Sequence, residues 1–152
     1  MSLEETKDLT EFLKPFPQTV QETAWHLRQF IWSLYPDCNE LIYDNYNALA
    51  IGFALSDSAG DAFCSIAVFA KYINFGFNRG TEIADPEKLL KGGGKLYRYL
   101  KVENFDDFPA DYIKRLLEDA HINALARLKK DRKIFKGATI TKLILPKKRR
   151  PI

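Results

Sequence analysis

Apolar residues change their spacing twice along this chain. Leu9, Phe12 and Leu13 mark a short helix over residues 8–14, stopped by Pro15 and Pro17. Val20, Ala24, Leu27, Ile31 and Leu34 then recur at intervals of three and four, one face of a 3.6-residue period. This predicts a longer helix over residues 18–35, with Trp25, Phe30 and Trp32 flanking the stripe and Pro36 ending it.

The period falls to two in the middle of the chain. Residues 41–46 predict a first strand. In residues 48–55, Leu49, Ile51, Phe53 and Leu55 alternate with Ala48, Ala50, Gly52 and Ala54. The cluster at residues 57–61 predicts a turn. Residues 63–69, apolar on both faces, predict a central strand. Residues 72–77 alternate again, with Ile73, Phe75 and Phe77 opposite Tyr72, Asn74 and Gly76. A glycine-containing loop over 78–95 precedes a strand at 96–102. Phe108-Pro109 opens a helix reaching about residue 130, since proline is tolerated in a first turn. Its stripe is Ile113, Leu116, Leu117, Ala120, Ala124, Leu125 and Leu128. Residues 139–145 have strand composition again.

These elements predict an α+β fold: a two-layer sandwich in which an antiparallel sheet of about five strands is flanked by N-terminal and C-terminal helices. Ile31, Leu34, Ile51, Phe53, Phe75, Leu117 and Leu125 are expected in one buried cluster. The face built from Ala48, Ala50, Gly52 and Ala54, with Tyr72, Asn74 and Gly76 two strands on, is unusually light. Either a helix packs close over it or it forms a shallow groove, a common form of ligand site.

Charge divides the chain. Residues 1–128 carry a net −6 and residues 129–152 a net +9. This separates a domain over 1–137 from a basic extension over 138–152 that ends in Lys147, Lys148, Arg149 and Arg150. Segment 139–145 is too apolar to be left bare, so it is expected to cover its own sheet edge or to pair with a second copy in a homodimer. No apolar run is long enough to span a bilayer, and the start does not read as a signal peptide. Two isolated cysteines, Cys38 and Cys64, fit a reducing cytoplasm better than a disulfide framework.

Candidate chemistry is sparse. Gly92-Gly93-Gly94-Lys95 lacks the early glycine and the following Ser or Thr of a phosphate loop, so a turn into a strand is the plainer reading. Backbone N–H groups of that turn, with Lys95 and Arg98, could still hold an anionic group, and Tyr72 and Asn74 would line the adjoining light face. Asp37, Glu40 and Asp44 lie close in sequence and could serve a hard cation. The two histidines, His26 and His121, sit one on each long helix and read as helix-flank residues. Cys64 alternates within an apolar strand and reads as a small buried hydrophobe. No nucleophile elbow and no cofactor motif occurs.

Several separated segments resemble the YdhG-like family, a bacterial domain of unknown function. They are the opening helix at 9–13, the corner Pro36-Asp37-Cys38-Asn39-Glu40, and the aromatic strand Ile73-Asn74-Phe75-Gly76-Phe77. Further on come Gly80, Asp85-Pro86, Leu89-Leu90, the stretch from Gly92 to Arg98, and the closing helix at 107–120. The resemblance implies a frataxin-like outline, and some members are described as iron chaperones. Relatives often have a Lys-His pair where this chain has Lys71-Tyr72, which weakens transfer of a metal role.

The expected function is a non-enzymatic domain, without a cofactor, that binds an unidentified small molecule or protein. An iron chaperone is one alternative. A nucleic-acid accessory protein working through the basic tail is the other, set against an acidic body with no recognisable reading module.

Overall fold

The computed structural model describes residues 3–130 and 136–146. Helix α1 (Leu3–Leu13) leads through Pro15 and Pro17 into α2 (Gln18–Leu34). A meander follows: β1 (Asn39–Asp44), β2 (Leu49–Ala54), β3 (Ala62–Val68), β4 (Ile73–Phe77) and β5 (Arg98–Val102). Helix α3 (Ala110–Arg127) then recrosses the sheet and β6 (Thr139–Ile144) closes it. The strand order is β5-β4-β3-β2-β1-β6.

The class is α+β, as the patterns predict, but the sheet has six strands and is mixed. Strands β1 to β5 pair antiparallel, whereas β6 runs parallel to β1, with Glu40 opposite Thr139 and Ile42 opposite Thr141. The intervening α3 explains this, because a helix crossover brings the chain back to the end where β1 starts. Gly137, at φ +67°, makes the final turn, a conformation a side chain would strain, and donates its N–H to the Asp37 carbonyl at 3.2 Å. Segment 139–145 therefore lies on an edge of its own sheet. The tail residues Lys147, Lys148, Arg149 and Arg150 lie outside the described residues.

All three helices contribute to one core on one face of the sheet. Leu9 and Leu13 of α1, Val20, Ala24, Leu27 and Ile31 of α2, and Ile113, Leu116 and Leu117 of α3 pack there. They meet Ile51, Phe53, Ile66, Phe75 and Phe77. Each fully buried side chain of this size stabilises the fold by about 1.5–3 kcal/mol. Five of the seven expected core residues are fully buried in this cluster. Leu34 is only partly buried, and Leu125 is 51% exposed. The reason is angular: Leu125 stands 100° round the helix from Ala124, the last buried position of α3.

A buried ion pair ties the layers together. Arg28 of α2 donates from Nε and Nη2 to the two Glu40 oxygens, at 2.6 and 3.0 Å, and Thr139 of β6 donates to Glu40 Oε1 at 3.0 Å. Glu40 is fully buried. One carboxylate thus fixes α2, β1 and β6 in register.

Candidate functional site

Helix α2 stops at Pro36, and the chain turns through Asp37 and Cys38 into β1, with Cys38 N–H donating to the Tyr35 carbonyl at 3.1 Å. The last turns of α3 run past this corner. Between them lies a cavity of about 340 Å³. Its walls are largely apolar, from Leu34, Leu55, Leu125 and Leu128, while Asp37 and Lys136 add charge.

His121 is the central polar group. Its ring stacks on Tyr35 at 4.4 Å and meets the edge of Phe63 at 5.2 Å. Burial holds its pKa below the ordinary value, so the imidazole is neutral at pH 7. Among the described residues neither ring nitrogen has a hydrogen-bond partner. A neutral imidazole offers one donor and one acceptor, and both are unspent.

The neighbouring groups are held protonated. Burial, aided by the nearby Cys64 and Glu118, pushes the Tyr35 hydroxyl up to about 12. Burial and then the Glu40 charge push the Cys38 thiol up to about 12. Burial raises Cys64 as well. The thiolate is the nucleophilic form of cysteine, and these environments suppress it.

The residues singled out from sequence do not converge on one site. Arg98 donates from Nη1 to the carbonyls of Gly94 and Tyr97, both at 2.7 Å, so it braces its own glycine loop. Lys95 has its side chain exposed and its carbonyl bonded by Thr81 Oγ1 at 2.9 Å. Tyr72 stacks on Phe69 at 5.1 Å and carries Lys101 Nζ 4.7 Å above its ring. Asn74 pairs with Lys101 in the ladder, whereas Arg98 pairs with Phe77 at the opposite end of β4. Lys95 and Arg98 are therefore one locus, and Tyr72 and Asn74 another.

The three acids part in the same way. Asp37 is exposed at the cavity, Glu40 is bonded to Arg28 and Thr139, and Asp44 is buried further along β1. Among the described residues no three His, Cys, Asp or Glu side chains come together as metal ligands. Asp85 has an architectural task. Its oxygens accept from the N–H groups of Leu89 and Leu90 at 3.2 and 2.9 Å and from the Tyr112 hydroxyl, pinning the loop to α3.

Sequence reasoning set His121 aside as a helix-flank residue. A signal was present: His121 lies four residues after Leu117 and four before Leu125, on the apolar stripe itself.

The light side of the sheet is open over Gly52 but closed nearby, where Leu41, Ala54 and Ala62 form a small buried cluster with Tyr43 and Ile140 packed against it. A Cβ built on Gly52 would meet only the Ala62 Cβ, at 3.9 Å, so among the described residues no helix packs over it. The one close approach is at Gly76, where a Cβ would stand 2.3 Å from the Tyr97 hydroxyl. Tyr97 folds across Gly76.

The chain matches no protein-family model, no curated protein and no solved structure. Among the described residues no helix is long and apolar enough to cross a membrane.

Proposed function

We propose that this protein is a non-enzymatic small-ligand-binding domain whose site is the cavity between the C-terminal ends of α2 and α3. The observation that carries this reading is His121, a neutral imidazole whose two nitrogens have no hydrogen-bond partner among the described residues, set in the wall of an otherwise largely apolar cavity. Sites of this kind join apolar walls to a few polar groups that fix orientation. The ligand is a compact, mainly apolar molecule with one hydrogen-bonding or anionic end, directed at His121 and Lys136. The suppressed thiols fit binding rather than covalent chemistry, and two free cysteines fit a reducing cytoplasm.

The iron-handling role that the YdhG-like resemblance suggests draws no support from Glu40, whose oxygens are taken by Arg28 and Thr139. The test is chemical-shift mapping with benzoate, 4-hydroxybenzoate, indole and octanoate as probes. Saturable perturbations at residues 34–38 and 121–128, weakened in His121→Phe, are expected. A panel that leaves those residues unperturbed overturns the assignment.

A further inference from the structure

We infer that the cavity between the ends of α2 and α3 takes a zwitterion, an α-amino acid with an apolar side chain. This rests on the reading of that cavity as the site, and it gives the ligand a second charged end.

Size and walls set the apolar part. A cavity of about 340 Å³ lies at the small end of ligand sites, which run from about 300 to 1,000 Å³, so it suits one small metabolite. Leu34 from α2, Leu55 just past β2, and Leu125 and Leu128 at the end of α3 leave an apolar space for an aliphatic or aromatic side chain.

Charge sets the other end. Asp37 and Lys136 line the same cavity, and both are exposed. The backbone brings them together: Gly137 donates its N–H to the Asp37 carbonyl at 3.2 Å, which holds the residue before it near Asp37. Among the described residues neither side chain has a hydrogen-bond or ion-pair partner. An ion pair between them would be solvent-exposed and weak, so a ligand has little to displace.

The end of α2 adds a preference for a cation. Leu34, Tyr35 and Pro36 bring that end to the cavity, and α2 has no basic residue in its last turn. Aligned peptide dipoles leave a helix C-terminus partly negative. Arg127, in the last turn of α3, lies 3.6 Å from Glu82 and is engaged there. Asp37 follows directly on the end of α2. An ammonium group therefore belongs beside Asp37, and a carboxylate belongs beside Lys136, where the neutral His121 ring can donate its one N–H.

Simpler ligands fit less well. A carboxylate alone would sit near Asp37 with nothing to offset the repulsion. An amine alone would meet Lys136 in the same way. An α-amino acid carries its two charges on neighbouring atoms, as the cavity carries its own two on neighbouring segments of chain.

The experiment is calorimetric titration and chemical-shift mapping of the full chain with leucine and phenylalanine. N-acetyl-leucine, leucine methyl ester and 4-methylpentanoate are the controls, each lacking one charge. Leucine or phenylalanine should bind saturably and perturb residues 34–38 and 121–128, and each control should bind about tenfold more weakly. Asp37→Asn should weaken leucine about tenfold while leaving 4-methylpentanoate unchanged or tighter, whereas Lys136→Gln should weaken both. Circular dichroism melting confirms that each variant is folded. If 4-methylpentanoate binds as tightly as leucine, the inference is overturned and the cavity reading stands. Leucine binding that neither substitution changes overturns it too. If no probe, zwitterion or plain carboxylate, perturbs those residues, the inference and the reading beneath it fall together.

Discussion

The helix-covered face and the open face of the sheet are made by alternate residues of the same strands. In β2, Leu49, Ile51 and Phe53 point into the core, while Ala50 and Gly52 point away from it. On the covered face a core of large side chains shares space with Arg28 and Glu40, each of which has found a partner. On the open face the small residues Ala50 and Gly52 lie beside a minor buried cluster of Leu41, Ala54 and Ala62. The difference separates two tasks. The covered face holds the molecule together, and its residues answer to packing. Only around Ala50 and Gly52 does the open face carry little packing and stay free to answer to a partner.

The largest test of that division is the ion pair. Arg28→Met would leave Glu40 buried without its counterion, and the expected loss of unfolding free energy is about 3–5 kcal/mol in urea denaturation. Arg28→Met with Glu40→Leu should recover much of it, since the charges are then gone together. If the single variant melts like the parent, the carboxylate is not serving as the anchor between α2, β1 and β6.

Leu117→Ala comes next. Leu117 is fully buried in the core, and its truncation should cost about 2–5 kcal/mol. Leu125→Ala on the same helix should cost under about 0.5 kcal/mol, because that side chain is half exposed. Equal effects from the two would contradict the helix register.

This pair also shows what was legible in sequence. The period of the apolar residues was enough to place α2, α3 and the five-strand meander, because local spacing and burial agree there. It assigned Leu125 to the core because a broad stripe does not reveal where its edge falls. The parallel pairing of β6 was not legible, since it depends on where α3 delivers the chain. Arg28 and Glu40 gave no local sign of each other across twelve residues, so Glu40 read as an open acid. The lightness of the Ala-Gly face was visible, but whether a helix covers it is a tertiary fact. Lys95 and Arg98 looked like one site with Tyr72 and Asn74 because sequence nearness does not distinguish the two ends of a ladder.

A smaller effect probes the open face directly. Gly52→Val replaces a poor strand former with a good one, and only the Ala62 Cβ lies within 4 Å of the new atom. A neutral result or a gain of up to about 1 kcal/mol is expected. A face sealed by packed side chains would lose about 1–3 kcal/mol instead. Gly76→Ala differs, because the new methyl meets the Tyr97 ring and must push it aside. The readout is displacement of the Tyr97 ring by NMR with little change in melting temperature.

The smallest expected effect lies at His121, where the covered side opens into the cavity. Burial lowers its pKa in the folded protein. In the unfolded chain the ring takes up a proton near pH 6.5. Between that pH and the lower folded value, the unfolded chain binds more protons than the folded one. Stability therefore declines as pH falls through about 6.5 and levels off below the folded pKa. The ring is partly open to solvent, so the slope is shallow. Tyr35 and Cys38, the titrating groups packed around it, ionise near 12 and add nothing in this window. His121→Phe preserves an aromatic stack on Tyr35 but cannot titrate. Comparing melting temperatures of parent and variant from pH 5 to 7 isolates the histidine, and the variant should show the flatter curve. An NMR titration of the ring then connects this to function. An anionic ligand seated beside His121 favours the imidazolium and should move the midpoint upward. A neutral ligand that only excludes water should move it downward. A midpoint that does not respond to a probe perturbing residues 121–128 would remove the imidazole from the ligand's reach and leave the cavity a packing defect between two helix ends.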